Sequence, residues 1–485
     1  MLDTPSKWRK RLKRICWVVL PLVAIVIFIG WYKFLREVPE DPFGSPEERF
    51  KYGSIGGENA AGIPYWIWVA MPRVCASHLP GPGGYRSLGI AWEEGHEMPI
   101  GFTKKTIGFP RVANNCAVCH ATAFRTKPNE APEFVGGGPN HTSNIQGFLR
   151  FLTDCAKDDN FNPDTLLAEI QQHTHLDWID KLSYRFLIIP MTRKAILGRE
   201  QQLAWMNRPG VPDWGAGRDD PMNLTKYFMT TVPVDSSVGQ ADFPSAWNLR
   251  FRQKMNLNWG GETPSPRSVI IDSALGLSAD PRTVLDHEKW IEDFLNKKEP
   301  PKYRFSIDQN LASKGSDIYQ TQCASCHDLK GPRTGTVIDI AEVRTDRNRL
   351  DTWTAEAARI ANQKVASLGI QRIDLIKTNG YQAVPLDGLW LRAPYLHNGS
   401  VPNLVEMLLP EDKRSKEFCR GYDLYDPVNV GFDSKTRNKN PGDNPCPGAF
   451  FVDTKLRGNG NQGHLYGTNL SAAEKAALIE YLKTF

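Results

Sequence analysis

Apolar positions are spread unevenly along this chain. Near its start, "ICWVVLPLVAIVIFIGWYKF", residues 15–34, is an almost unbroken apolar run, long enough to cross a bilayer as one helix. Trp17, Trp31 and Tyr32 stand near its ends, where amphipathic rings favour the membrane interface. No second run of this kind follows. Elsewhere apolar residues return with a helical period. In "TNLSAAEKAALIEYLKTF", Leu478, Tyr481 and Leu482 share one face, and Ser471 with Glu474 has capping-box spacing. "SIDQNLASKGSDIYQTQ" predicts another helix, with Gly315 and Tyr319 one turn apart. Further helices are predicted over 144–156, 163–171 and 176–205. An amphipathic stretch, "PRTVLDHEKWIEDFLN", ends shortly before Pro300 and Pro301. Almost no segment alternates as a strand does. The pattern predicts a mainly α, loop-rich protein, and 40 glycines and 35 prolines agree with that.

Charge orients the apolar run. Lys7, Arg9, Lys10, Arg11, Lys13 and Arg14 precede it and few cations follow, which places residues 1–14 in the cytoplasm as a basic tail. A cleaved signal peptide is the competing reading. The run is longer than a signal core, and no small-x-small site follows it, so residues 15–34 are expected to remain as a transmembrane anchor. The body is then expected on the periplasmic side of the inner membrane, held by a single pass. A net charge of +5 over 485 residues gives no sign of nucleic-acid binding. The length exceeds a single core and predicts two or three domains.

Nine cysteines carry most of the chemistry. Cys116 and Cys119 precede His120 in "CAVCH"; Cys323 and Cys326 precede His327 in "CASCH". This is the c-type haem attachment pattern. Two thiols three residues apart on one helical turn reach the porphyrin edge together, and the next histidine offers a nitrogen to the iron. Zinc would need four converging ligands in pairs a few tens of residues apart, and each pair here carries its own histidine. Thiol redox chemistry needs no second copy. Two covalently bound haems c are therefore expected. Cys16 lies in the apolar run. Cys419 with Cys446 is the first candidate disulfide, and Cys75 with Cys155 the second.

One motif in each half predicts an N-terminal haem domain over 40–300 (haem 1) and a C-terminal cytochrome c domain over 301–485 (haem 2). In the latter, the first and last helices are expected to cross with a glycine at the contact. The second motif is followed by His397 in "LWLRAPYLHNGSVPNL" and His464 in "GNGNQGHLYG", both in loops able to bring a side chain onto a metal. Met407 is a third candidate for the sixth ligand of haem 2. For haem 1 His141 is the best available. An iron without a sixth protein ligand is open to O2 or peroxide.

"GFPRVANNCAVCHATAFR", "FPSAWNLRFRQKMNLNWGG", "VRTDRNRLDTWT", "PLDGLWLRAPYLHNGSVPNL" and "GNGNQGHLYGTNLSAAEKAALIEYLKTF" together resemble the dihaem cytochrome c peroxidase superfamily. Within it they most resemble the rubber-oxygenase-like dihaem c-type cytochromes. The resemblance spreads over residues 50–485. It implies two cytochrome c domains face to face, a reactive N-terminal haem and an electron-transferring C-terminal one. Where the peroxidase branch carries a methionine ligand, this chain has Glu411. The rubber-oxygenase-like branch implies bis-histidine ligation of haem 2, with His327 and His464 as ligands and His397 as support or alternate. It implies Trp247 near the distal pocket of haem 1, Trp259 between the haems, and Glu262 as a candidate for acid–base work on peroxide. "WGAGRDDPMN" resembles a superfamily stretch in which Arg218 would face a haem propionate. The implied activity is that of an oxidoreductase using O2 or H2O2 with an organic substrate or a redox partner protein. The alternative is an electron-transfer cytochrome with both irons six-coordinate.

Overall fold

The computed structural model of the chain describes residues 5–438, 440 and 442–485, with side chains from residue 17 onward. The basic side chains of the N-terminal tail and Cys16 lie outside that description. Helix α1 spans Pro5–Phe34. Its Trp17–Phe34 segment is the one helix among the described residues long and apolar enough to cross a membrane, and none of it is buried against the body.

The chain leaving α1 is held at once. Val38 N–H donates to the Thr106 carbonyl at 2.9 Å and Gly108 N–H to the Arg36 carbonyl at 2.7 Å. Thr106 and Gly108 belong to a hairpin of β1 (Phe102–Ile107) and β2 (Phe109–Asn114), paired antiparallel. Gly108 turns with φ of 72°, and a Cβ there would strike the Phe34 backbone. The hairpin corrects the expectation of almost no strands. The described residues form six small sheets, one of three strands and five of two. Strands of two to six residues are too short for an alternating signal, and "FTKKTI" is mostly half-buried, which blurs it further.

The predicted helices are present with shifted ends, several of them started by a side-chain cap. α2 (Ile145–Lys157) is capped by Asn144 and α3 (Pro163–Ile170) by Asn162. The single helix expected over 176–205 is divided. α4 (Trp178–Ser183), capped by Asp177, runs through a π turn at Tyr184–Ile188 into α5 (Ile189–Leu203). In the C-terminal half, α6 (Gln309–Gln322) leads into the second motif, and α7 (Ala472–Leu482) starts at the expected capping box of Ser471 and Glu474. α6 and α7 cross at Gly315, where a Cβ would collide with the Ala477 carbonyl oxygen. Tyr319, one turn on, packs its ring against Tyr481 and Phe485 at 5.2 and 5.0 Å. Cys75–Cys155 and Cys419–Cys446 are both disulfides.

The chain has no regular element from Lys298 to Asp308, around the two prolines. The hydrophobic cores nevertheless cross that stretch. Phe124 and Trp247 pack with Tyr319, Trp390 and Leu478, while Val365 and Ile370 join Phe50, Ile271 and Ile291.

Candidate haem sites

The two C-x-x-C-H motifs fold alike. In each, the histidine N–H returns to the carbonyl of the first cysteine at 3.0 Å, making one helical turn. In each, the histidine Nδ1 lies against a backbone carbonyl: His120 against Pro244 at 2.9 Å and His327 against Val384 at 2.7 Å. An Nδ1–H donated there puts the proton on that nitrogen and leaves Nε2 as the free ligand atom. Burial pushes the His120 imidazole down to about 4 and lowers that of His327, so both are neutral at pH 7, as ligands must be.

The four motif cysteines form no disulfide. Burial pushes the thiols up, to about 12 for Cys116 and about 11 for Cys323. Thiols held protonated make poor redox nucleophiles or ligands for a bare ion. Among the described residues, no three His, Cys, Asp or Glu side chains converge as such an ion requires. Two cysteines on one turn followed at once by a neutral histidine fit thioether attachment of porphyrin.

At the second motif the fit can be measured. The His327 and His464 ring centres lie 6.1 Å apart, their planes tilted by 49°. Two imidazoles bound to opposite sides of one metal ion, at about 2 Å each, place their ring centres about 6 Å apart. Burial and the neighbouring His327 push His464 down to about 3, again the neutral form. The space between them belongs to a cavity of ≈ 220 Å³ whose wall includes Cys323, Cys326, Tyr381, Arg392, Met407 and Leu478.

His464 is placed by its loop. Its backbone is left-handed, with φ of 49°, a conformation uncommon for a residue with a Cβ. Arg414 clasps the loop from beneath: Nη1 donates to the Asn461 and Gly463 carbonyls at 2.6 and 2.9 Å, and Nη2 to the His464 carbonyl at 3.3 Å. Glu411 accepts the Gly463 N–H at 2.9 Å. Glu411 thus tethers the loop that presents His464. His397 lines the same cavity, but its Nε2 is hydrogen-bonded to the Tyr381 hydroxyl at 2.9 Å and its ring stacks on Tyr381 at 3.9 Å. It is a wall residue with an occupied nitrogen.

At the first motif, two asparagines hold the turn. Asn115 accepts from Ala117 N–H and donates to the Phe50 and Gly53 carbonyls at 3.1 and 2.9 Å. Asn140 donates to the Val118 carbonyl at 2.9 Å, and its backbone N–H to that of Cys119 at the same distance. Cys116, Cys119 and His120 are half-buried. His141 is buried, stacks on Phe432 at 3.6 Å, and leaves both ring nitrogens without a partner.

The other predicted residues fall between and around the motifs. Trp259 lines the second cavity and donates its indole N–H to the Asp242 carbonyl at 2.7 Å, two residues before the carbonyl that holds His120. Trp247 is fully buried in the core shared by the two halves, its indole N–H on the Asp387 carbonyl at 3.0 Å. Glu262 is ion-paired with Arg349 at 2.8 Å, both buried, and its other oxygen has no partner. Arg218 is fully buried, donating from Nη1 to Asn459 at 2.8 Å, while its Nη2 has no partner. Burial and the nearby Arg420 hold its pKa well below the usual guanidinium range. A buried guanidinium with a free N–H fits an anionic group such as a porphyrin carboxylate.

Sequence reading missed Tyr381, Arg349, Arg392, Arg414, Asn115 and Asn140. Arg392 carried a usable signal, a cation inside the apolar "LWLRAPY"; Arg349 lay in a stretch already recognised, "VRTDRNRLDTWT". Two motif turns, a neighbouring imidazole and a helix crossing sealed by glycine are features that suit attachment of haem c. The family model described as RoxA-like, cytochrome c-like, matches residues 380–419, which supply Tyr381, Arg392, His397 and Met407 to the second cavity. The match supports a RoxA-like cytochrome c relation. The chain is also 28% identical over 313 residues to uncharacterized protein y4iM of Sinorhizobium fredii (strain NBRC 101917 / NGR234), covering 56% of this chain and 71% of that protein. To uncharacterized protein y4iJ of the same organism it is 41% identical over 192 residues, covering 36% of this chain but only 30% of that relative.

Proposed function

We propose that this protein is a dihaem c-type oxidoreductase, anchored in the inner membrane by α1 with its body in the periplasm. When bound, the porphyrin at His120 supplies an iron centre for O2 or peroxide, and the porphyrin between His327 and His464 supplies a one-electron store. The protein's own contribution is ligation, access and charge. The Pro244 and Val384 carbonyls hold each proximal imidazole in one tautomer and orientation. Arg414 and Glu411 hold the loop that presents His464. Trp259 bridges the second cavity and the 242–244 segment that holds His120, an aromatic position between the two sites. Arg218 offers its unpartnered N–H to a carboxylate.

The observation that carries this reading is an asymmetry. The two motifs share one local geometry, yet the His327 ring is opposed by a second imidazole at 6.1 Å while no such ring pair includes His120 among the described residues. One closed and one open centre is the ligand pattern of an enzyme; two closed centres are that of an electron carrier.

The test is an EPR and absorption spectrum of the purified haem-loaded protein. The expected result is one low-spin ferric haem and one high-spin haem, or a stable oxy complex at the latter. Two low-spin haems in every redox state would make the protein an electron carrier. Peroxide turnover compared with O2 uptake on unsaturated lipids then separates peroxidase from oxygenase chemistry.

A further inference from the structure

α4, its π turn and the start of α5 carry an apolar face that the body leaves uncovered. Trp178 and Phe186 are each 71% exposed and Met191 60%, with Leu182 and Leu187 also exposed. Residues 178, 182 and 186 recur every four positions, and 187 and 191 continue that spacing through the π turn. The opposite face is ordinary core: Tyr184, Ile188 and Ile189 are buried. Single exposed apolar residues need no explanation, but five large ones within fourteen positions form a patch.

What covers the patch follows from its neighbour. Lys33, at the end of α1, reaches Asp180 Oδ1 at 2.6 Å and Asp177 Oδ2 at 3.3 Å. Asp177 is the cap of α4, its side chain accepting the Asp180 N–H. Trp178 therefore starts one residue from the point where the apolar helix ends. The hairpin contacts of Val38 and Gly108 fix the same exit from the other side. Lys181 and Lys194 are exposed on these helices and, among the described residues, take part in no ion pair. An amphipathic helix with aromatic and aliphatic residues on one face and lysines at its flanks is the composition that settles into a bilayer interface.

We propose that α4 and the first turn of α5 lie in the membrane interface beside α1, with Trp178, Leu182, Phe186, Leu187 and Met191 inserted below the headgroups. The inference rests on the reading of α1 as a retained membrane span. It gives the body a second point of attachment, so the body keeps one face to the bilayer instead of swinging on a tether.

The test uses the haem-loaded full chain in vesicles of phosphatidylcholine and phosphatidylglycerol in equal parts. Phe186→Cys, Trp178→Cys and, as a reference, the exposed Val428→Cys are each made with Cys16→Ser and carry a nitroxide label. Collision with O2, which partitions into lipid, is compared with collision by a water-soluble nickel chelate. The expected result is an O2-to-nickel ratio several-fold higher at 186 and 178 than at 428. A ratio equal to that at 428, in a chain that resists alkaline extraction, overturns the interfacial helix and leaves the anchor standing. Shielding from both probes means a protein surface covers the patch, and also overturns it. Release of the chain by alkaline extraction overturns the anchor itself.

Discussion

His464 joins two separable physical roles, and two substitutions at this one position take them apart. As an imidazole 6.1 Å from His327, it is the proposed second ligand at the second motif. As a residue with φ of 49°, it holds a left-handed backbone that L residues adopt at a cost of about 1–2 kcal/mol. His464→Ala and His464→Gly remove the ligand equally. Glycine also removes the left-handed penalty, offset by roughly 0.5–1 kcal/mol of extra chain entropy in the unfolded state. The glycine variant should therefore exceed the alanine variant in stability by about 0.5–1 kcal/mol. Both should convert one low-spin ferric haem to high spin while the other spectrum stays unchanged, and added imidazole should restore the low-spin signal. Denaturant midpoints followed at the Soret band check the stability difference; EPR checks the ligand. A low-spin signal that survives both substitutions would refute the assignment and move the ligand to Met407 or His397. Equal stabilities would refute the left-handed strain.

Four further outcomes follow from the same geometry. Gly315→Ala drives a methyl into the Ala477 carbonyl where α6 and α7 cross, and should lower stability by about 1–3 kcal/mol, read as a denaturant midpoint. Arg349→Met leaves the buried Glu262 carboxylate without its ion-pair partner and should lower stability by about 3–5 kcal/mol, whereas Arg349→Met with Glu262→Met should recover much of that. Opening Cys75–Cys155, which closes 80 residues, should lower stability by about 4.5 kcal/mol by chain entropy, against about 3.5 kcal/mol for Cys419–Cys446, which closes 27; thermal melts of the paired serine variants compare them. Replacing all four motif cysteines by alanine, so that no porphyrin is attached, should abolish cooperative unfolding of the body by near-UV circular dichroism; an unchanged transition would show that the cores stand without it.

What could be read from the residues was what chemistry fixes locally. C-x-x-C-H has its spacing because two thioethers and a ligand share one turn, so no tertiary information is needed to see it. The capping box at Ser471 and the glycine at the helix crossing are equally local, since each serves the element that contains it. His464 stood out because glycine- and asparagine-rich loops are where a side chain can be turned onto a metal. Arg414 and Glu411 were invisible for the opposite reason. They act on a loop fifty residues further on, through backbone carbonyls and one N–H that carry no side-chain signature. The short strands escaped because pairs of two to six residues leave no period. The 40–300 and 301–485 division followed the two prolines, a local break, while the packing of Phe124 and Trp247 among C-terminal residues is a property of the assembled surfaces.

Charge ties these observations together. Arg218, Arg349, Arg392 and Arg420 are enclosed in the protein around the two motifs and the segments joining them. Glu262 answers Arg349 and Asp242 answers Arg420, at 2.8 and 2.6 Å. Arg218 has no carboxylate within ion-pair distance, and Arg392, at the cavity wall, spends Nη1 on the Pro385 carbonyl. Burial holds Arg218 well below the usual guanidinium range and pushes Arg392 down to about 10. A cation moved from water into a protein interior costs several kcal/mol unless an anion meets it there. Arg218 in the interior and Arg392 at the wall of the cavity that holds His327 and His464 are an expensive arrangement for the polypeptide alone. They become favourable once each faces a carboxylate the polypeptide does not supply, and a porphyrin carries two. Arg218, fully buried with no carboxylate within ion-pair distance, therefore points to the same group as the motif turns do, by a route that uses neither cysteine nor histidine.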